Sequence, residues 1–209
     1  MTRLVLASNN AKKLAELQAL LGDLTLELTA QSQLGIGEAA EPHVTFIENA
    51  LAKARHAAAA CGGAAIADDS GLCVDALGGA PGVASAHYAP LPASHGEREA
   101  RRSAQDAANN ALLLQNLQGH ANRRAHFVCT LVAIRHAEDP QPLIAVGRWP
   151  GVVLSAPRGD QGFGYDPLMF VPARQLSVAE MAAEMKNLHS HRALAAAQMR
   201  ALLRGVWQL

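Results

Sequence analysis

The first 70 residues change period repeatedly, and this limits the chain to folds that mix helices and strands. Arg3 to Ala7 is a short apolar run with the length of a strand. Leu14, Leu17, Leu20 and Leu21 then recur at helical spacing until Gly22 interrupts them. Leu24, Leu26 and Leu28 alternate with other residues as a second strand would, and residues 31–44 are polar and Gly-rich, a loop. Thr45-x-x-Glu48 reads as a capping box opening a second helix. Its apolar face is expected to be Ile47, Leu51, Ala54 and Ala58, with Asn49, Lys53 and His56 on the opposite side. Gly62-Gly63 ends that helix, and Ala64 to Ala67 makes a third strand that stops at Asp68-Asp69, where Ser70-Gly71 turns the chain.

The rest of the chain is richer in strands. Residues 77–96 hold glycines, prolines and small residues, a functional loop or lobe junction, and residues 97–117 form a helix rich in Ala and Leu. His126 to Arg135 and Leu143 to Leu154 are β-rich runs flanking the turn at Asp139-Pro140 and are expected to pair as a long hairpin. A Gly-rich loop over 157–167, a short strand from Leu168 to Val171, a second capping box at Ser177-x-x-Glu180 and a helix over 193–204 follow. The expected architecture is α/β with a mixed sheet in two lobes.

Composition narrows the function classes. Half of the 209 residues are hydrophobic, enough for a sizeable core. Eighteen basic residues balance eighteen acidic ones, which argues against broad electrostatic binding of nucleic acid or of an anionic membrane. The apolar part of MTRLVLASNNAKK is too short for a signal segment, and no run approaches the roughly 18 apolar residues of a membrane helix. Cys61, Cys73 and Cys129 are odd in number and widely spaced, so they read as buried thiols of a reducing cytoplasm; none has the flanking signature of a nucleophile.

Five stretches carry chemistry. Ser8-Asn9-Asn10-Ala11-Lys12-Lys13 joins a strand to a helix, where backbone N–H groups and the helix dipole attract anions; Ser8, Asn10 and Lys13 suit phosphate oxygens, and Ser and Asn are equally ordinary helix caps. It is not a Walker A loop, since G-x-x-x-x-G-K is absent. Asp68 and Asp69 are adjacent carboxylates that suit a hard divalent cation, with Glu41 as a third acid, or a role for one of them as general base; a solvent-exposed turn is the plainer alternative. Lys53 belongs either to this group or to a solvated helix face. Gly162-Phe163-Gly164-Tyr165-Asp166-Pro167 sets aromatics in a Gly frame, suited to stacking on a flat base, with Asp166 as an acceptor. Lys186-Asn187-Leu188-His189-Ser190-His191-Arg192 gathers donors and cations before the last helix without zinc-site spacing.

In order, SNNAKK, FIENALAKAR, ADDSGL, GGAPGVASAHYA, GFGYDP and SHR resemble the inosine triphosphate pyrophosphatase family, from residue 4 to about residue 200. The resemblance implies one elongated, two-lobed α/β domain over 1–209 with a mixed sheet, the active site in the central cleft, and a homodimer in the cytoplasm. It implies Mg²⁺-dependent hydrolysis of non-standard purine nucleoside triphosphates (ITP, dITP, XTP) to the monophosphate and pyrophosphate, with no nucleic acid or membrane partner. On that resemblance Ser8, Asn9, Asn10, Ala11, Lys12 and Lys13 form the phosphate loop. Glu41 and Asp69 bind the metal, and Asp69 is the general base. Lys53 and Asp68 line the phosphate site, and Ser70 contacts substrate. Phe163, Gly164, Tyr165 and Asp166 bind the base, and Lys186, His191 and Arg192 read it.

Two positions depart from the family pattern: His87 stands where Arg is usual, and Met185 where Glu is usual before the lysine. The rival readings are a septum-formation-inhibitor-like pyrophosphatase acting on modified pyrimidine nucleotides, whose arginine pair is missing here, a nucleotide-binding module that does not cleave, and a metal-dependent nuclease.

Overall fold

A computed structural model describes residues 2–90 and 98–209. The end of the expected small-residue loop and the first residue of the expected helix, 91–97, lie outside the described residues. The chain divides into two compact units: Met1–Ser70, Cys129–Arg148 and Asn187–Leu209 form one, and Gly71–Val128 and Trp149–Lys186 the other.

The architecture is mixed α/β, as the alternating periods imply. Among the described residues seven strands are β1 (Thr2–Leu6), β2 (Leu26–Ala30), β3 (Ala65–Val74), β4 (Arg124–Ile134), β5 (Leu143–Val153), β6 (Met169–Val171) and β7 (Leu176–Ser177), in sheet order β2-β1-β3-β4-β5-β6-β7. β1 is parallel to β2, with Leu4 opposite Leu28, and to β3, with Leu6 opposite Ile66. β6 is antiparallel to β5 and to β7, so the sheet is mixed. The runs from 126 and 143 are adjacent strands as expected, and Asp139 accepts from the Arg135 and Gln141 N–H groups in the turn joining them.

In the first unit both sheet faces are covered, which explains why β1 reads as a continuous apolar run rather than an alternating one. Leu4, Leu6 and Ile66 pack with Leu17 and Leu21 of α1 (Ala11–Leu21) and with Ala195, Ala196 and Met199 of α5 (His191–Leu202). Val5, Ala65 and Ala67 pack on the other side against Ala50, Ala54, Ala57 and Ala58 of α2 (Phe46–Cys61). Gly147 of β5 is required by close approach: a Cβ there would lie 1.9 Å from the His191 carbonyl oxygen.

The expected face of α2 is partly wrong. Ile47 is exposed, whereas Asn49 and Lys53 are buried. Asn49 bonds both backbone groups of His43, and Lys53 is buried because acids surround it. The alanines form the buried contact with the sheet, and Leu51 packs beside them half-buried. The Thr45–Glu48 cap and the left-handed Gly62 stop are as expected.

The second unit has its own core, in which Leu113 of α3 (Arg98–Asn116) and Leu117 just after it pack with Leu72, Phe127, Trp149, Tyr165 and Leu168. The second capping box opens only the 3-10 turn Val178–Glu180, and α4 (Ala183–His189) precedes α5. Only Cys129 of the three thiols is fully buried; Cys61 and Cys73 are half-buried. Among the described residues no helix is long and apolar enough to cross a membrane.

Candidate active site

Asp68 and Asp69 do not end a strand. β3 continues through Ser70-Gly71 to Val74. Successive side chains of a strand point to opposite faces, so the two carboxylates part company. Their mutual repulsion, the premise for a cation between them, is relieved by geometry.

Asp68 shares the face of Ile66, toward α1 and α5. Its Oδ1 accepts from Lys13 Nζ at 2.5 Å and from Ser70 Oγ at 2.8 Å; its Oδ2 accepts from Arg192 Nε at 2.7 Å and from Cys129 Sγ at 3.2 Å. Arg192 also pairs with Glu16 and donates to Ser70 Oγ at 3.1 Å. Burial works to raise the Asp68 pKa, but Arg192 and then Lys13 outweigh it and hold the carboxyl well below its usual range. Burial, and then Asp68, push the Cys129 thiol well up, so it is a donor here and unsuited to act as a nucleophile.

Asp69 shares the face of Ala67, toward α2. Lys53 Nζ lies 2.8 Å from Asp69 Oδ1 and 2.9 Å from Oε2 of Glu41, which sits in the irregular segment before α2. The lysine ammonium thus stands between the two acids. Burial pushes Asp69 up to about 6, with the Glu41 charge adding to it and Lys53 opposing it. Glu41, more exposed, is lowered: burial acts to raise it, and Lys53 prevails. Lys53 is raised, because Asp69 and Glu41 outweigh its own burial. Asp69 Oδ2 is buried with no hydrogen-bond partner among the described residues.

The loop of residues 8–13 has a dual character. Asn10 is the N-cap of α1: its Oδ1 accepts from the Lys12 and Lys13 N–H groups, and Ser8 Oγ accepts from the Asn10 N–H. The capping alternative is therefore real. Yet Asn10 Nδ2 and Asn9 Oδ1 are buried without hydrogen-bond partners among the described residues, and Ala11 and Lys12 are exposed in the first turn. An unsatisfied donor at a helix start suits an anion. Two carboxylates around one cation, with an orphaned acid oxygen, also suit a hard divalent ion, which takes one or two protein carboxylates and completes its shell with phosphate and water oxygens.

In the second unit the loop 162–166 is built on Gly162 (φ 79°) and Gly164 (φ 62°). Asp166 Oδ2 accepts from the Phe163 N–H and from Lys186 Nζ, each at 3.0 Å, and Lys186 Nζ lies 4.7 Å from the centre of the Phe163 ring. Tyr165 is different: its ring is in the core and its hydroxyl donates to the Ser85 carbonyl at 2.9 Å. Burial, and then Tyr88 and Asp106, push that phenol up.

Lys186, His191 and Arg192, the expected base-reading residues, stand on two successive helices. Lys186, on α4, pairs with Asp166; Arg192, on α5, pairs with Asp68 and Glu16; His191 is buried at the first position of α5. Sequence reading missed Glu16 and Cys129, whose partners lie far along the chain, and the α3 residues Asp106 and Asn110, which bond Gly164. Their signal is faint: a polar pair four residues apart in an Ala-rich helix. His87 is exposed, and Met185 packs against the second unit's core, which accounts for an apolar residue there.

Residues 4–202 match the Ham1 family. A dITP/XTP pyrophosphatase of Methylibium petroleiphilum is 70% identical over 98% of this chain and 99% of its own length. One from Leptothrix cholodnii is 66% identical over 99% of each. Among solved structures, a HAM1 protein from Coxiella burnetii has a TM-score of 0.87 at 41% identity, covering 97% of this chain and 98% of that one. A nucleoside-triphosphatase / dITP/XTP pyrophosphatase from Mycobacterium abscessus has a TM-score of 0.71 at 35% identity, covering 96% and 98%. Sequence, fold and the order of the motifs agree from one end to the other: the chain belongs to the Ham1 family.

Proposed function

We propose that the chain hydrolyses non-standard purine nucleoside triphosphates, dITP, XTP and ITP among them, to the monophosphate and pyrophosphate, removing them from the nucleotide pool. The names of its relatives support the substrate class. The observation that carries the chemistry is Asp69: a buried carboxyl raised to about 6, sharing Lys53 with Glu41 and keeping one oxygen unpaired.

Glu41 and Asp69 would hold a divalent cation, for which we propose Mg²⁺, and the ion would neutralise phosphate charge. The chain's own residues do the rest. Asn10 Nδ2, the start of α1 with Lys12 and Lys13, and Lys53 bind phosphate oxygens. The Asp69 carboxylate accepts the proton of the attacking water. Water adds to phosphorus, the bridging P–O bond breaks, and pyrophosphate carries off the electron pair. Asp68, locked by Arg192 and Lys13, keeps Lys13 in place. Phe163 stacks on the base, and Asp166, Lys186 and His191 supply hydrogen-bonding groups for it. Arg192, whose guanidinium is committed to Asp68, Glu16 and Ser70, fits the role of anchor better than that of base reader. A homodimer in the cytoplasm remains part of this reading.

The test is incubation with dITP, XTP, ITP, GTP, ATP and a modified pyrimidine triphosphate in the presence of Mg²⁺, with chromatographic identification of products. Monophosphate and pyrophosphate from the first three are expected. Turnover confined to the pyrimidine, release of orthophosphate, or binding without turnover would each overturn the proposal.

A further inference from the structure

Phe163 sits in a loop that should be loose. Two of the five residues from 162 to 166 are glycines, both at positive φ, and glycine loses more conformational freedom on ordering than any other residue. The bonds from Phe163 N–H to Asp166 Oδ2 and from Asp166 N–H to the Phe163 carbonyl close the loop on itself, and Asp166 is held in turn by Lys186 Nζ and by the Ala179 N–H. Two side chains of α3 tie it to the scaffold next to the aromatic ring. Asp106 Oδ2 accepts the Gly164 N–H at 2.8 Å, and Asn110 Nδ2 donates to the Gly164 carbonyl at 3.0 Å. The two are four residues apart on a helix, so they stand on one face, and together they hold both polar groups of a single residue.

The adjacent row of the same helix does the same for a neighbouring segment. Asn109 Nδ2 donates to the Ser85 and Ala86 carbonyls, and its Oδ1 accepts from the Ala89 N–H and from Gln105. Ser85 O in turn receives the Tyr165 hydroxyl. The loop is therefore gripped at Gly164 by charge-assisted and neutral bonds and at Tyr165 by a third, so that the backbone directly after Phe163 is fixed.

We propose that Asp106 and Asn110 are positioning residues for the purine: they hold the Gly164 peptide so that the Phe163 ring is set before the base arrives. This rests on the proposed function, because it assumes that Phe163 meets a base. A ring fixed in advance spares the ligand the cost of ordering the loop. Losing either bond should weaken ligands that carry a purine and leave those without one unaffected.

The experiment measures dissociation constants of inosine monophosphate and of inorganic pyrophosphate for wild type, Asp106→Ala, Asn110→Ala and Asp106→Asn, with thermal melts to confirm folding. Both alanine variants should bind inosine monophosphate about tenfold more weakly, with pyrophosphate affinity unchanged. Asp106→Asn keeps an acceptor oxygen and should stay within about threefold of wild type. If one alanine variant does not fold, the other carries the comparison. Equal weakening toward both ligands, or none toward inosine monophosphate, would overturn the positioning role while leaving the enzymatic reading intact. A wild-type protein that binds pyrophosphate but not inosine monophosphate would instead remove the assumption about the base, and the proposal with it.

Discussion

Asp68 and Asp69 are consecutive residues whose carboxylates face opposite sides of one strand, and the two sides give them opposite character. Asp68 is enclosed by two cations and two weaker donors and stays ionised. Asp69 shares one ammonium with a second acid and is pushed up to about 6. A fully paired buried carboxylate is a structural anchor. One that is under-paired and raised toward neutrality can trade protons or accept a cation.

Asp69→Asn tests that division. The amide keeps the shape and leaves Lys53 paired with Glu41, so folding should survive. Removal of a general base typically lowers the rate by about 10²–10⁴-fold. Pyrophosphate release from dITP is the measurement. Turnover above about a tenth of wild type, against that range, would take Asp69 out of the proton transfer.

Arg192→Ala should fail for a different reason. Arg192 is 1% exposed and bonded to Asp68, Glu16 and Ser70. Its removal leaves Asp68 buried with half its countercharge. Breaking such a pair from one side costs about 3–5 kcal/mol. Denaturant midpoints should show that loss. Arg192→Lys should restore little of it, since an ammonium cannot span three partners as the planar fork does. A variant of unchanged stability with altered base preference would return Arg192 to a base-reading role.

These two residues also show what the sequence could and could not reveal. The early strands and helices were legible because each carries its own period and its own cap. The aromatic Gly loop was legible because glycine flanking an aromatic is a local signal. Asp68 and Asp69 misled, because Ser-Gly after them looks like a turn, while β3 needs no turn there: Ser70 bonds Asp68 within the strand. Lys53 misled because a hydrophobicity pattern places every lysine outside, and only the arrival of Glu41 and Asp69 from elsewhere makes burial tolerable. Asp106 and Asn110 stayed invisible because their partner, Gly164, is more than 50 residues away.

Gly147→Ala should disrupt the seat of α5. The added Cβ would lie 1.9 Å from the His191 carbonyl oxygen and 2.7 Å from the Ala195 backbone nitrogen, neither of which can rotate away as a side chain can. Overpacking against backbone belongs at the upper end of its usual range, about 3 kcal/mol. The melting temperature should fall accordingly, and dITP turnover should fall with it, since α5 carries His191 and Arg192. An unchanged melting temperature would show that α5 can shift freely.

Asp139 gives a stability test remote from any proposed chemistry. Its Oδ2 accepts the Arg135 N–H at 2.8 Å and its Oδ1 the Gln141 N–H at 2.9 Å, closing the turn between β4 and β5. Burial acts to raise its pKa, but these two N–H groups, with His136 and Arg135 adding, bring it below the ordinary value. A carboxyl lowered in the folded state binds fewer protons there than in the unfolded chain. Its contribution to stability is therefore complete above the unfolded value, near 3.9, and fades as pH falls toward the folded one. Asp139→Ala removes both acceptors and should cost about 1–3 kcal/mol at neutral pH. The gap between wild type and variant, read from urea midpoints, should hold from pH 7 to about 5 and narrow below about 4. A gap that stays constant down to pH 3 would mean that the carboxyl holds the turn equally well when protonated, and that its charge contributes nothing to closing it.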